Sequence, residues 1–396
     1  MMNRAMIRPS LSALSLVAMI GAVGAFLVDS QGWRQGGLWL IGAGLGGVLW
    51  QSSFSFAGAY RLVLTERRTA GLRAQLLMIA VATCLFLPAL DAGSVFGQPV
   101  RGFVFPIGMA LVVGAFLFGI GMQLGGGCGS GTLYAAGGGA ARSWLTLGSF
   151  VMGATVAAWD GERWLAWPTL PPVSLPASLG MWPSMAGSVA LLGAIAMLAA
   201  WIERARHGGI QAISTRPASG TGAPTGARFR PWSLAVGAVA LAALNFLTLI
   251  VAGRPWAITA AFPLWGSKAI DTAGFDDPTF WAFWDDPTRT EALLRPLISD
   301  RTTIMDVGVI AGASLTAILA GRARPVWPPP RLRPALASVL GGMLLGYGAV
   351  LATGCNISAF FGGIASGSLH GWVWIVPALA GNWVGVRLRP WFRLTP

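Results

Sequence analysis

Long apolar stretches alternate with short polar loops along most of this chain. Most stretches have about 17 to 21 residues, which is enough for a helix to cross the hydrocarbon core of a membrane. The pattern predicts an all-α polytopic membrane protein with about ten transmembrane helices. The predicted spans are 11–29, 37–52, 72–90, 103–123, 143–159, 186–202, 232–252, 304–321, 334–353 and 371–387.

Composition supports a membrane protein over a soluble one. Hydrophobic residues make up 55% of the 396 residues, charged residues only 10%, and the mean hydropathy is +0.65. A soluble domain carries about a quarter charged residues. The formal net charge of +13 is compatible with a nucleic-acid partner, but the arginines lie in short loops between the spans. That distribution follows the positive-inside rule, so no nucleic acid is expected and membrane lipid is the surrounding partner.

The charged loops predict the orientation of the chain. Arginine clusters follow the second, sixth, eighth and tenth spans, so they share one face if every span crosses once. An acidic run, 271–300, lies on the opposite face. Because positive loops stay in the cytoplasm, we expect a bacterial inner-membrane protein with both termini cytoplasmic. The arginines are Arg61, Arg67, Arg68, Arg73, Arg204, Arg206, Arg216, Arg228, Arg230, Arg322, Arg324, Arg331, Arg333, Arg387, Arg389 and Arg393.

Two segments interrupt the regular alternation. Residues 1–30 place Arg4 and Arg8 before an apolar run, as a signal peptide does, but we expect a retained extra transmembrane helix. Residues 207–231 are rich in Gly, Ser, Thr, Pro and Arg, which predicts a flexible cytoplasmic linker. This linker divides the chain into a first half, 31–206, and a second half, 232–396.

Two glycine-rich segments place a cysteine at the end of a long apolar stretch. They read GIGMQLGGGCGSGT at 119–132 and GYGAVLATGCNIS at 346–358. A broken helix within a membrane is tolerated only where its backbone faces protein or a cavity, and paired breaks in two halves indicate a transport site. The second break comes five crossings after the first, an odd number, so the halves point in opposite directions. The sequence therefore predicts an inverted repeat.

A second pair of irregular segments follows the second and seventh predicted spans, at 51–61 and 253–266. Both are amphipathic and too short to cross the membrane, so each is either an interfacial helix or a re-entrant half-helix. Their matching positions in the repeat favour half-helices, which makes about four in total. The loop 267–303, with aromatic residues among acids, is expected to be an external loop or cap.

The helix after each cysteine exposes backbone N–H groups at its start, which is a ready binding site for an anion. Glycines before the break let a ligand approach the backbone without a Cβ in the way. No acidic residue lies in the middle of a predicted span, so we expect no proton relay. The residues expected to support the anion are Gly127, Gly129, Ser130, Gly131, Gly354, Asn356 and Ser358.

Cys128 and Cys355 are candidates to line an anion path. A neutral thiol is a small, polarizable hydrogen-bond donor, whereas a thiolate would repel an anion, and the sequence leaves the protonation state open. The alternative is that both cysteines fill tight turns, but their matched positions favour a role. Cys84 has no break beside it, so packing explains it better. With three cysteines, no CxxC and no ligand spacing to either histidine, we expect no disulfide framework, metal or cofactor.

The motifs GMQLGGGCGSG (121–131), ATGCNIS (352–358) and FSFAGAYR (54–61) resemble the YeeE/YedE family of membrane proteins, whose characterised members take up thiosulfate. The resemblance implies that thiosulfate passes along cysteine thiols, here Cys128 and Cys355, through S–H hydrogen bonds. It also implies a cytoplasmic sulfurtransferase partner. The third path cysteine of the family is Ser55 in this chain. Serine still donates but is less polarizable, so another small sulfur or selenium species is an alternative substrate.

Two other classes of function compete with a transporter or channel. A membrane-embedded thiol-disulfide oxidoreductase would cycle Cys128 and Cys355 through a disulfide, but the chain lacks a CxxC and any quinone- or flavin-binding pattern. A non-transporting scaffold would use the glycines and cysteines only for packing. We therefore expect a transporter rather than an enzyme. No ATP-binding Walker motif is present, and downhill flow is the expected driving force.

Overall fold

The computed structural model describes residues 11–214, 231–321 and 331–394. Within these ranges, regular structure is almost entirely helical. Seven helices are long and apolar enough to cross a membrane, judged by length and composition. The prediction of an all-α, multi-pass membrane protein is therefore confirmed, whereas the count of ten crossings stays a prediction.

Ten of the described helices have 17 or more residues, and each overlaps one predicted span. The helices are α1 (Leu11–Gln31), α2 (Trp33–Ser52), α3 (Phe56–Glu66), α4 (Ala70–Asp91), α5 (Met109–Gly125), α6 (Gly129–Gly137), α7 (Ala141–Trp159), α8 (Gly161–Leu165), α9 (Leu175–Leu179), α10 (Met181–His207), α11 (Leu234–Ala252), α12 (Ala261–Thr272), α13 (Pro287–Leu294), α14 (Arg301–Leu319), α15 (Leu332–Leu351), α16 (Gly362–Ala365) and α17 (Leu369–Leu388). Two short antiparallel pairs, β1 (Ser94–Val95) with β2 (Gln98–Pro99) and β3 (Ile107–Gly108) with β4 (Thr169–Leu170), lie in loops.

The start of α5 differs from the sequence prediction. The apolar run suggests a span from residue 103, but the helix begins at Met109. Pro106 lies just before β3, and Gly108 pairs with Thr169 in an extended segment. Since proline lacks an N–H and restricts the residue before it, the chain reaches the helix by an extended approach.

Long helices from before the segment 207–231 pack on long helices from after it. Helix α2 packs on α14 and α4 on α11, while α5 packs on α17 and α7 on α15, and α5 also meets α15. Glycines make these contacts close: a Cβ at Gly119 would lie 2.2 Å from the carbonyl oxygen of Ala378, and one at Gly346 would lie 2.1 Å from that of Phe150. Small residues at such crossings let helix backbones approach each other, as is typical of membrane helices.

Both long helices with a cysteine motif end just before the cysteine. Helix α5 ends at Gly125, and Gly126 adopts a left-handed conformation at φ 88° before α6 begins at Gly129. Helix α15 ends at Leu351, and a π-helical turn, Asn356–Phe361, leads into α16. Each motif thus forms two helical pieces with a short irregular link, which places the cysteine at the start of the second piece.

The second pair of irregular segments is also broken. Helix α2 ends at Ser52 and the short α3 begins at Phe56. Helix α11 ends at Ala252, and a 3₁₀ turn, Ile258–Ala260, runs directly into α12. These short helices are amphipathic and pack inward, with Tyr60 of α3 and Phe262 of α12 fully buried.

Contacts between helix ends define two faces of the molecule. On the arginine-rich face, the end of α5 meets the start of α7 and the segment after α17, because Arg142 and Arg389 donate to its carbonyls at Leu124 and Gln123. The end of α3, the start of α4 and the end of α10 lie on the same face, where Glu203 of α10 accepts from α4.

The acidic-loop face is formed by the opposite ends. There the N–H of Arg101, after α4, donates to the carbonyl of Gly253, after α11, at 2.8 Å. The loop 267–303 contains the end of α12, all of α13 and three 3₁₀ turns. Its acids cap these elements: Asp286 accepts from the N–H groups of α13, and Asp300 accepts from Thr303 at the start of α14.

The predicted extra helix and linker are only partly described. Helix α1 begins at Leu11 and packs on α2, where the Trp39 indole N–H donates to the carbonyl of Ile20 at 2.9 Å. Residues 1–10 and 215–230 lie outside the described residues. The described start of the linker is held by the first half, since the N–H of Gln211 donates to Glu203 at 3.2 Å.

Candidate functional site

The first cysteine lies buried at the break between α5 and α6. Cys128 is 1% exposed and adopts an extended backbone, and its carbonyl accepts the N–H of Thr132 at 2.8 Å to start α6. Its Sγ lies 3.4 Å from the Ser130 hydroxyl, and either atom can donate. The thiol is thus held beside the first turn of α6, where the helix dipole favours negative charge.

The second cysteine caps the turn that follows α15. Cys355 is fully buried, and its Sγ accepts from the N–H of Ile357 at 3.4 Å. The Ser358 hydroxyl accepts the N–H of Cys355 at 2.9 Å and lies 3.7 Å from its sulfur. This reciprocal arrangement is that of a capping box, with a thiol in place of the usual hydroxyl.

The helix breaks at Cys128 and Cys355 lie next to each other. A Cβ built at Gly129 would lie 3.5 Å from Cys355 Sγ and 3.4 Å from the methyl groups of Ile258 and Thr259. Gly129 directly follows Cys128, so the second thiol faces the backbone beside the first. The start of α6, the π-helical turn after α15 and the 3₁₀ turn before α12 therefore converge on one buried point.

Polar side chains from α3 reach the same region. The Asn356 amide, at the first position after Cys355, donates to the Tyr60 hydroxyl of α3 at 3.2 Å. Ser55 lies at the start of α3, where its hydroxyl accepts the N–H of Gly58 at 3.0 Å. Among the described residues, no hydrogen bond joins Ser55 to Cys128 or Cys355. The structure therefore brings together the two cysteines and places the serine at a separate break.

The glycines proposed to support the anion differ in how much space a side chain would have at each position. Gly354 has a φ of 144°, and a Cβ there would lie 2.3 Å from the Ser358 hydroxyl. A Cβ at Gly127 would lie 3.1 Å from the backbone of Gly131. A side chain at Gly354 would disrupt the cap that holds Cys355, whereas Gly129 has room that faces the thiol.

A cavity of about 760 Å³, which no sequence pattern predicts, lies at the acidic-loop face. Its lining includes Thr259, Gly354 and Ser358, so it reaches the segments that hold Cys355. Four arginines and one aspartate also line it, which makes it electropositive. These are Arg101, Arg254, Arg289, Arg301 and Asp286.

Asp306 is a buried acidic residue that belongs to neither cysteine motif. It is a fully buried carboxyl in α14, close to the acidic-loop end of the helix. The Trp256 indole N–H donates to its Oδ1 at 3.0 Å, and its Oδ2 has no hydrogen-bond partner within the described ranges. An acidic residue at the third position of the predicted span 304–321 is the sequence pattern that points to it.

Cys84 has a different position from the other two cysteines. It lies on α4 with its side chain exposed at the helix surface, so it does not fill the core. All three cysteines are free, and only Cys128 and Cys355 belong to the converging breaks. Cys84 is therefore a natural control for chemistry directed at the buried thiols.

A multi-pass membrane protein whose broken helices converge on buried polar groups has the construction of a transporter rather than a soluble enzyme. The chain belongs to the sulphur transport family, because the model of that family matches residues 51–384. This confirms the resemblance stated from the motifs, and it assigns the chain to transporters rather than enzymes.

Three curated relatives are named as transporters. "Thiosulfate transporter TsuA" of Spirochaeta thermophila is 27% identical over 353 residues, which cover 87% of this chain and 96% of the relative. "Thiosulfate transporter TsuA" of Escherichia coli is 24% identical over 89% of this chain and 94% of the relative. "Probable transporter YedE" of Salmonella typhimurium is 30% identical over 165 residues, 41% of this chain, so the match spans only 40% of that protein.

Proposed function

We propose that this protein takes up thiosulfate or a related small sulfur-containing anion across the bacterial inner membrane, with both termini in the cytoplasm. The observation that carries the proposal is the approach of Cys355 Sγ to Gly129, next to Cys128. It supports a single path in which the anion passes from one thiol to the next. Two relatives that align over most of their length are named thiosulfate transporters, which supports the substrate class.

An inverted repeat accounts for the way the halves pack. In this proposal, 31–206 and 232–396 are related halves, and α1 is an addition to them. The corresponding pairs α2 with α14 and α4 with α11, and likewise α5 with α17 and α15 with α7, support it. Such a repeat places a site at the middle of the membrane with an approach from each face.

The anion enters from the acidic-loop face in this proposal. The four arginines of the cavity raise the local concentration of anions, and its floor at Thr259 and Ser358 leads to Cys355. Burial lowers the pKa of the Arg289 guanidinium, and the nearby Asp286 carboxylate offsets only part of this effect. The thiols then replace water around the anion with S–H donors, and the N–H groups at the start of α6 add to them.

Ser55 gives the path its third donor in this proposal, on the side of the arginine-rich face. Its hydroxyl is held by the N–H of Gly58, which leaves the hydroxyl hydrogen available to a ligand. Because oxygen is less polarizable than sulfur, the proposal keeps a related sulfur or selenium species as an alternative substrate. A cytoplasmic sulfurtransferase that consumes the product is the proposed partner.

Uptake of radiolabelled thiosulfate by cells that lack other importers tests the proposal. Cys128→Ala and Cys355→Ala each remove one donor to a charged ligand, which costs about 1.5–3 kcal/mol and lowers uptake roughly ten- to hundredfold. The exposed Cys84→Ala is the matched control and retains uptake. Membrane abundance is measured for every variant.

Unchanged uptake in both buried-cysteine variants, at normal abundance, would contradict the assigned roles. Titration of free thiols during turnover separates the oxidoreductase alternative, because a redox enzyme must oxidise and reduce Cys128 and Cys355. A carrier leaves both thiols reduced throughout.

A further inference from the structure

Three arginines from three separate elements converge at the arginine-rich end of α5. Arg142 of α7 donates from Nε to the Ser338 hydroxyl at 2.8 Å and from one terminal nitrogen to the carbonyl of Leu124. Arg389, after α17, is 4% exposed and donates to the carbonyl of Gln123 at 2.7 Å. The two guanidiniums are therefore held on adjacent carbonyls, two to three residues before the break at Gly126.

Arg61 of α3 is the third member. Helix α3 is fixed against α5, because the Gln123 amide donates to the carbonyl of Ala57 at 3.0 Å, and Arg61 lies one turn further along α3. Burial lowers the pKa of the Arg389 guanidinium to about 10, and the positive charges of Arg61 and Arg142 contribute to the shift. Arginine side chains do not lose their proton in proteins, so the three guanidiniums are positive.

Two of the three arginines lack an acid in direct contact among the described residues. Neither Arg61 nor Arg142 forms an ion pair with an acid in the part of the chain that the structure describes. The acid closest to Arg61 in sequence is Glu66, which lies at the exposed end of α3. The carbonyls at the end of α5 carry partial negative charge, but only about half an elementary charge in total.

One guanidinium nitrogen points at the break. A Cβ built at Gly126 would lie 3.7 Å from the Nη1 atom of Arg142, and no hydrogen bond to a described residue occupies that nitrogen. Gly126, at φ 88°, leaves this space open two residues before Cys128. An anion that leaves the thiols towards the arginine-rich face meets this guanidinium first.

We propose that Arg61, Arg142 and Arg389 form a binding site for a divalent oxyanion at the arginine-rich end of the path, where the transported anion rests after it leaves Cys128. The proposal rests on the proposed function for the identity of that anion. Guanidinium groups suit it because their N–H donors match the oxygens of a tetrahedral anion. The same chemistry would hold the phosphate of a lipid headgroup, so the test separates the two sources.

Arg61 is the residue to change, since no described hydrogen bond ties its guanidinium to the fold. Arg61→Gln removes the charge and Arg61→Lys keeps it, while Arg67→Gln removes an exposed arginine from the end of the same helix. Purified protein in nanodiscs of phosphatidylcholine is assayed for equilibrium binding of radiolabelled thiosulfate, and proteoliposomes are assayed for transport. Melting temperatures of all variants establish that they fold.

Arg61→Gln is expected to weaken binding and transport about tenfold, and Arg61→Lys less than that, because lysine keeps the charge but not the fork of N–H donors. Arg67→Gln stays within about twofold of the wild type. If the wild type transports thiosulfate and Arg61→Gln leaves both binding and transport unchanged, the inference is overturned. The proposed function then stays intact, because the arginines only cap α5. If the wild type does not transport but Arg61-dependent binding persists, the proposed function fails and the anion site stands.

Nanodiscs that contain phosphatidylglycerol distinguish the lipid source. Thiosulfate binding that depends on Arg61 and is unaffected by the anionic lipid supports a site for the transported anion. Displacement of the label by phosphatidylglycerol identifies the ligand as a headgroup phosphate and overturns the assignment.

Discussion

At the scale of single residues, the geometry around Gly129 allows the proposed path to be tested without disturbing the packing of the fold. An added Cβ would meet Ile258, Thr259 and Cys355 at 3.4–3.5 Å, which is ordinary van der Waals distance. The fold therefore has room for a methyl group at this point. The same group would occupy the space between the backbone beside Cys128 and the thiol of Cys355, through which the proposed path runs.

Gly129→Ala is therefore expected to lower uptake while the protein stays folded. Alanine at the start of a helix costs no stability relative to glycine, and often adds up to about 1 kcal/mol. A steric barrier of about 1.4 kcal/mol in the path lowers uptake about tenfold. Thiosulfate uptake and the melting temperature are measured together.

Gly187→Ala on α10 is the matched control for this prediction, because no atom lies within 4 Å of a Cβ built there. It should leave uptake unchanged, and any change in its melting temperature should match the small gain expected for alanine in a helix. Wild-type uptake in Gly129→Ala would show that the path does not pass between Gly129 and Cys355.

At the scale of elements, a buried ion cluster holds α10 against α4. The carboxylate of Glu203 is fully buried and accepts from the backbone N–H and the hydroxyl of Thr69. It also pairs with Arg73 at 3.1 Å and accepts the N–H of Gln211. One side chain thus joins two helices and the described start of the linker, although α10 is otherwise mostly exposed.

Glu203→Gln is expected to destabilise the protein by about 2–3 kcal/mol, since a neutral amide cannot replace the charge-assisted bonds and its N–H₂ group opposes the donors. The measurement is thermal unfolding in detergent. Glu291→Gln is the comparison: its pair with Arg295 is exposed on both sides, so about 0.5 kcal/mol or less is expected. Equal losses in the two variants would contradict a special role for the buried cluster.

The elements also show what local pattern can and cannot predict. The small residues and glycines before Cys128 and Cys355 predict the two breaks within apolar stretches, because glycine destabilises a helix. Hydropathy does not predict the start of α5, because Phe103 and Phe105 are apolar and extend the run that the helix continues. The pairing of Gly108 with Thr169 is not visible in that local pattern. Periodicity carries no information about a distant partner strand.

At the scale of the whole molecule, the candidate site depends on distances that no sequence window contains. The arginines of the entry cavity come from separate parts of the chain (the segment after α4, the segment after α11, α13 and the start of α14), and only the fold gathers them around Thr259 and Ser358. The same holds for Arg61, Arg142 and Arg389 at the other end. The motifs therefore predict the two cysteines, each next to its own break, but not that arginines gather on either side of them.

The driving force is also a property of the whole molecule, and Asp306 is the residue that tests it. Its carboxyl is buried, and one oxygen has no partner among the described residues, so it is the described group best placed to carry a proton into the interior. Downhill flow needs no such proton. Asp306→Asn keeps an acceptor for the Trp256 indole and removes only the titratable group.

If uptake is downhill, Asp306→Asn should retain thiosulfate uptake within about twofold, since 0.4 kcal/mol corresponds to that change. Wild-type uptake should also persist when an uncoupler collapses the proton gradient. Both are measured as initial rates in cells, with membrane abundance as the control. Uptake that the uncoupler abolishes in the wild type, together with loss in Asp306→Asn, would replace downhill flow by proton coupling through α14. Because the asparagine still accepts from Trp256, such a loss could not be attributed to that hydrogen bond.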